Sequence, residues 1–187
     1  MPKLHVIFTS TRPGRAGLPI AQWFVDRAKA HGKFEVRFVD LGELNLPMFD
    51  EPRHPRLGQY EHDHTRRWSE IVNEADAFVF VVPEYNYAAP PAFVNAIDYL
   101  SKEWKYKAAS FVSYGGVAGG VRSVMMSKQV LTTVSVMPIF ESVTIPMFPQ
   151  HLKNDVFEAN DLHDKSATAM LDELLRWAEA LKVLRAH

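Results

Sequence analysis

The chain has 187 residues, 47% of them hydrophobic, with 21 Lys+Arg against 22 Asp+Glu and no cysteine. That length suits one domain spanning 1–187, able to bury roughly 70% of its unfolded surface. A formal net charge of −1 leaves no basic excess for nucleic acid, and the lack of cysteine excludes a disulfide framework, thiolate catalysis and Cys-ligated metals.

In chain order the first element is a strand over 4–9, a short apolar run with a histidine, His5, inside it. The run is too short and too polar at its edges for a secretory signal, so the expected compartment is the cytoplasm. His5 is expected to be a satisfied core or edge histidine. A helix follows, because Ile20, Ala21, Phe24, Val25 and Ala28 share one face. The second strand is expected over 34–40. A Pro-rich stretch over 46–57 reads as a loop, and a helix over 59–75 comes next. At its start, His62 and His64 resemble a metal pair, but on a helix positions two apart point about 200° from each other, so no metal site is expected.

The longest apolar run, 77–82, is a buried third strand and far short of the roughly 20 residues that span a bilayer. Pro90 and Pro91 start a helix running to Leu100, with Phe93, Ala96, Ile97 and Leu100 on its inner face. A fourth strand over 108–114, a helix over 120–134 with Met125 and Met126 as packing or subunit surface, a fifth strand near 137–145 and a last helix near 166–185 complete the order. Strands alternating with helices imply a parallel sheet covered on both faces. Five strands favour a doubly wound, flavodoxin-like α/β domain of order 2-1-3-4-5, whose ligands bind beyond the carboxyl ends of the strands where the order reverses.

Three loops lie there. After strand one, Ser10, Arg12, Arg15 and Gly17, with Leu18 beginning the helix, combine hydroxyl, guanidinium and glycine. Such a turn suits a phosphate monoester at a helix N-terminus, and it reads equally well as an ordinary polar turn. Neither a G-x-x-x-x-G-K-[ST] loop nor a G-x-G-x-x-G fingerprint is present. After strand three, Pro83, Glu84, Tyr85, Asn86 and Tyr87 offer rings and an amide for the edge of a planar ligand, or a packed surface loop. After strand four, Ser113, Tyr114, Gly115 and Gly116 lead into Gly119 and Gly120. Glycines permit close backbone approach to a flat ligand, or simple flexibility before a helix. No G-x-S-x-G elbow is present.

The stretch PEYNYAAPPAFVNAIDYL, with S-x-R-x-G before it and SYGGVAGG after it, resembles the NADPH-dependent FMN reductase family of quinone, azo and chromate reductases. The resemblance implies FMN held non-covalently and reduced by NADPH or NADH. It also implies a small-molecule electron acceptor and a homodimer or homotetramer with the helix from Pro91 to Leu100 near the contact. It carries Ser10 and Arg12 over to the phosphate, Pro83 to Asn86 to the flavin edge, and Ser113, Gly115 and Gly116 to the third flavin loop. Arg15 and Gly17 stand where the family commonly has Ser and Asn, and Ala88, Pro91 and Val94 where it often has Ser, Gly and Lys. The alternatives are a flavodoxin-like electron carrier, disfavoured by the small net charge, and a flavin-free interaction module.

Overall fold

The computed structural model describes residues 1–185, so the last two residues of the expected domain lie outside the described residues. Strands β1 (Lys3–Phe8), β2 (Glu35–Asp40), β3 (Ala77–Pro83) and β4 (Ala108–Tyr114) are parallel, in the order β2-β1-β3-β4. Every residue of β3 and β4 is buried, which is why β3 reads as a continuous apolar run and β4 as one broken only by Ser110 and Ser113 rather than as an alternating pattern.

The fifth strand is not continuous. It splits into β5 (Met137–Pro138) and β6 (Val143–Ile145), both paired with β4. Pro138 has no N–H to give the ladder. The chain bulges between the two pieces, leaving Phe140 89% exposed, and the Ser110 hydroxyl donates to the Glu141 carbonyl at 2.5 Å across the gap. With that break the order is 2-1-3-4-5 as expected.

Side chains alternate along β1, and the two faces make two cores. Val6 and Phe8 pack under α1 (Leu18–His31) and α6 (Asp161–Arg185), with Phe24, Leu171 and Leu174 among their neighbours in the cluster. Ile7 joins Phe78, Phe80 and Phe111 on the other face, beneath α3 (Asp63–Glu74), α4 (Pro91–Asp98) and α5 (Val121–Thr133). The Trp68 and Trp104 rings meet there at 5.8 Å, and each indole N–H donates to a carbonyl, of Ala96 and Ile97. Aromatic bulk thus enters the core without an orphaned donor.

Two helix starts differ from the periodicity by several residues. α6 begins at Asp161 rather than near 166, because the Asn160 side chain accepts the His163 N–H at 2.9 Å while His163 Nδ1 accepts the Asn160 N–H at 3.2 Å, a reciprocal cap. α3 begins at Asp63 rather than 59, since the Glu51 carboxylate takes the N–H groups of Glu61 and His62 and holds them outside the helix. A four-residue α2 (Leu41–Leu44) and the hairpin of β7 (Leu152–Lys153) with β8 (Val156–Phe157) are too short for periodicity to reveal.

Candidate active site

The order of the sheet reverses beside β1, which lies between β2 and β3. At its carboxyl end the Thr9 hydroxyl donates to the Val81 carbonyl at 2.9 Å, tying the first loop to β3. Ser10 is 1% exposed, and its hydroxyl lies 2.9 Å from that of Tyr85, so the first and second loops touch through their side chains.

The two arginines of the first loop differ in role. Arg15 turns inward: its guanidinium pairs with the Asp40 carboxylate, donates to the Ser10 carbonyl at 3.1 Å and lies 5.3 Å from the Phe8 ring centroid. Asp40 also accepts the Gly42 N–H at 2.8 Å. The charge of Arg15 is thus matched by Asp40, while its side chain still lies on the wall of the cleft. Arg12 is exposed and, among the described residues, makes neither an ion pair nor a hydrogen bond. Gly17 precedes the first turn of α1 with the Tyr114 hydroxyl 2.1 Å from where a Cβ would stand, so any side chain there would displace Tyr114.

In the second loop, residues 85–88 form a tight turn in which Tyr85 and Ala88 exchange backbone hydrogen bonds at 3.0 and 2.9 Å. Asn86 and Tyr87 have φ of 50° and 69°, as in a type I′ turn. Glu84 is drawn toward α5, where Arg122 Nε donates to its carboxylate at 2.7 Å. The Arg122 guanidinium also lies 3.7 Å from the centroid of the Tyr87 ring.

The third loop is pinned by the chain that follows β6. Gly115 N–H donates to Ile145 O at 3.3 Å, while the N–H groups of Met147 and Phe148 donate to Gly116 O and Gly115 O. Phe148 meets Tyr114 edge-on at 5.2 Å. Burial, reinforced by the nearby Tyr85, pushes the Tyr114 hydroxyl above its ordinary range and keeps it protonated.

These loops enclose a cleft of about 380 Å³ whose wall includes Ser10, Arg12, Arg15, Pro83, Glu84, Tyr85, Tyr114, Gly115 and Gly116. Gly17, Leu18, Asn86, Tyr87 and Ser113 do not line it. Leu18 faces a neighbouring hollow beside Gln22 and Leu152. Ser113 is wholly buried with its hydroxyl unpartnered, and a Cβ on Gly120 would come within 2.8 Å of its own, so its side chain packs beneath the third loop. The residues that sequence reasoning missed are Asp40, Arg122 and Phe148. Three larger hollows of about 720, 570 and 510 Å³ occur among the described residues; the first shares Gly14, Arg15 and Ala16 with the cleft, but none brings together all three loops at the switch point, where a doubly wound sheet places its ligand.

The histidines lie outside this cleft. His62 precedes α3 with an extended backbone, so the premise of two positions on one helix fails: its ring stacks on His64 at 5.1 Å and 13°. His64 Nε2 and the Tyr99 hydroxyl both reach the Asp50 carboxylate, at 3.0 and 2.9 Å, which fastens the Pro-rich loop. Among the described residues no group of three candidate metal ligands occurs. His5 is 1% exposed with Nδ1 unpartnered, buried as expected but not fully satisfied. Burial, with Arg37 nearby, pushes its pKa down to about 4, so the ring is neutral near pH 7.

The family model described as NADPH-dependent FMN reductase matches residues 2–150. The chain is 37% identical over 148 residues to an NAD(P)H-dependent FMN reductase of Schizosaccharomyces pombe, covering 78% of this chain and 74% of that one. To an NAD(P)H-dependent FMN reductase of a Nectria species it is 32% identical over 191 residues, covering 97% and 90%. In fold it is similar to the flavoenzyme NAD(P)H:(acceptor) oxidoreductase FerB from Paracoccus denitrificans, with a TM-score of 0.75 at 19% identity over 96% of this chain and 98% of that one.

Proposed function

Since the chain belongs to the NADPH-dependent FMN reductase family, an oxidoreductase family using FMN and NAD(P)H, we propose that the cleft at the ends of β1, β3 and β4 is where FMN binds and where both substrates react. The observation that carries this reading is Arg12, a cation on the cleft wall with no carboxylate partner among the described residues, beside the buried hydroxyl of Ser10. Together they suit a phosphate monoester.

The other residues fit a flat ring. Gly116 has no atom within 4 Å of a Cβ position, so backbone can approach a ligand face there. Tyr114 and Phe148 form an aromatic wall, and Pro83 to Tyr85 supply an edge. When bound, FMN supplies the electron chemistry, taking hydride from NADPH or NADH and passing electrons to a quinone, azo compound, flavin or metal oxyanion. The chain's part is to hold the ring, shield one face and leave the other open.

The purified protein is expected to be yellow and to release FMN rather than FAD, because the first loop offers one monophosphate cradle and no dinucleotide fingerprint. Mass spectrometry of the released ligand checks it. FAD alone, or no flavin after reconstitution, would count against the site.

One open ring face admits one planar partner at a time, so the oxidised nicotinamide leaves before the acceptor enters. Parallel double-reciprocal lines for NADPH and a quinone are the expected result. Tyr87, 69% exposed on the second loop, is assigned to shaping the substrate slot. Tyr87→Ala should therefore change the kinetics with either substrate more than FMN retention. Intersecting lines with a demonstrated ternary complex would overturn the shared slot.

The same reading takes 1–187 as one FMN-binding domain in the cytoplasm, assembled as a homodimer or homotetramer. No helix among the described residues is long and apolar enough to cross a membrane. α4 buries Phe93, Ala96 and Ile97, whereas Val121 and Met125 on α5 and Phe140 before β6 are exposed. These exposed side chains favour α5 over α4 as the subunit contact.

A further inference from the structure

Among the described residues, Glu84 is the one carboxylate on the cleft wall. Its side chain is 8% exposed, at the end of β3 where the flavin edge is assigned. A bare carboxylate there would oppose the negative charge that a flavin gains on reduction. The chain does not leave it bare. Arg122 donates to Glu84 Oε1 from Nε at 2.7 Å and from Nη2 at 2.5 Å, and its backbone N–H donates to Oε2 at 3.1 Å.

The carboxylate thus receives a guanidinium and an N–H of the first turn of α5, where the helix dipole is positive. The guanidinium is held in turn by the face of the Tyr87 ring. We propose that Arg122, acting through Glu84, is a positioning residue that cancels the one negative charge beside the flavin and so sets how much more tightly the protein holds oxidised than reduced FMN. This rests on the FMN reading above.

A purely mechanical tie between the second loop and α5 would behave differently. Removing either partner of a tie loosens the same loop, so both substitutions would act in one direction. Removing either partner of a charge pair leaves charges of opposite sign, so the two substitutions act in opposite directions.

The test measures, at pH 8, the Kd of apoprotein for oxidised FMN and the midpoint potential of the bound flavin, from which the Kd for reduced FMN follows. Arg122→Gln is expected to raise the ratio of reduced to oxidised Kd about tenfold, a potential about 30 mV more negative for a two-electron couple. Glu84→Gln is expected to move the ratio the other way, while Arg122→Lys and the double variant Glu84→Gln/Arg122→Gln stay within about threefold of wild type. Should Arg122→Gln alone fail to fold, the double variant decides: a charge pair returns its ratio to within about threefold of wild type from the lowered ratio of Glu84→Gln, whereas a mechanical tie leaves it shifted as far as Glu84→Gln.

Shifts of the same sign, or ratios unchanged in variants that bind FMN, overturn the proposal and leave the flavin site standing. A wild-type apoprotein that binds no FMN overturns both.

Discussion

Arg12→Ala is expected to weaken FMN binding by about 1.5–3 kcal/mol, roughly 10- to 150-fold in Kd, the range for a hydrogen bond to a charged group. The guanidinium is exposed and, among the described residues, unpaired, so its removal strands no buried carboxylate and should leave the urea midpoint unchanged. Arg15→Ala is the contrasting case. The Asp40 side chain is 2% exposed, and without Arg15 it keeps only the Gly42 N–H. Stranding a buried carboxylate costs about 3–5 kcal/mol of stability, more than an unsatisfied neutral group, read as a lower midpoint. Riboflavin, which has no phosphate, separates the two effects. Arg12→Ala should spare riboflavin affinity, whereas Arg15→Ala, by loosening the loop, should weaken both ligands. Equal FMN dissociation constants for wild type and Arg12→Ala would remove the phosphate role.

The positions of the loops were legible because they follow from strand order alone: short buried runs mark β1, β3 and β4, and the site must lie at their carboxyl ends. Which side chains enter the cleft depends on more. Ser113 and Tyr114 are adjacent in one strand and must point to opposite faces, so only one of them can line the cleft. Applying that alternation to β4 would have separated them. Arg12 and Arg15 are not separable in this way, since the carboxylate that claims Arg15 belongs to β2, 25 residues on. The Arg122 partner lies 38 residues away, and no local spacing connects the two. Pro138 was a visible signal against an unbroken fifth strand. Asn154 and Asp155, with φ of 50° and 60°, similarly mark the two-residue turn of the β7–β8 hairpin. The stacked histidines show a different failure, in which the angular argument was sound but the helix began one residue after His62.

Gly120→Ala is expected to destabilise the protein by about 2–4 kcal/mol, and Gly116→Ala by less than about 0.5 kcal/mol. Gly120 has φ of 88°, a left-handed conformation that costs an alanine about 1–2 kcal/mol. Its Cβ would also stand 2.8 Å from Ser113 Cβ and 3.0 Å from the Tyr114 backbone nitrogen. Neither atom is the free end of a flexible side chain, so the overlap is relieved only by moving β4. That movement carries Tyr114 with it, and with Tyr114 the wall of the cleft. Gly116 has open space around its Cβ position and no positive φ, so an added methyl meets no protein atom. If the flavin ring lies on this loop, the methyl instead occupies ligand volume, and FMN Kd should rise about tenfold while the urea midpoint holds. Unchanged FMN affinity in Gly116→Ala would place the ring elsewhere in the cleft, and a midpoint as low as that of Gly120→Ala would show that the loop packs more tightly than its geometry indicates.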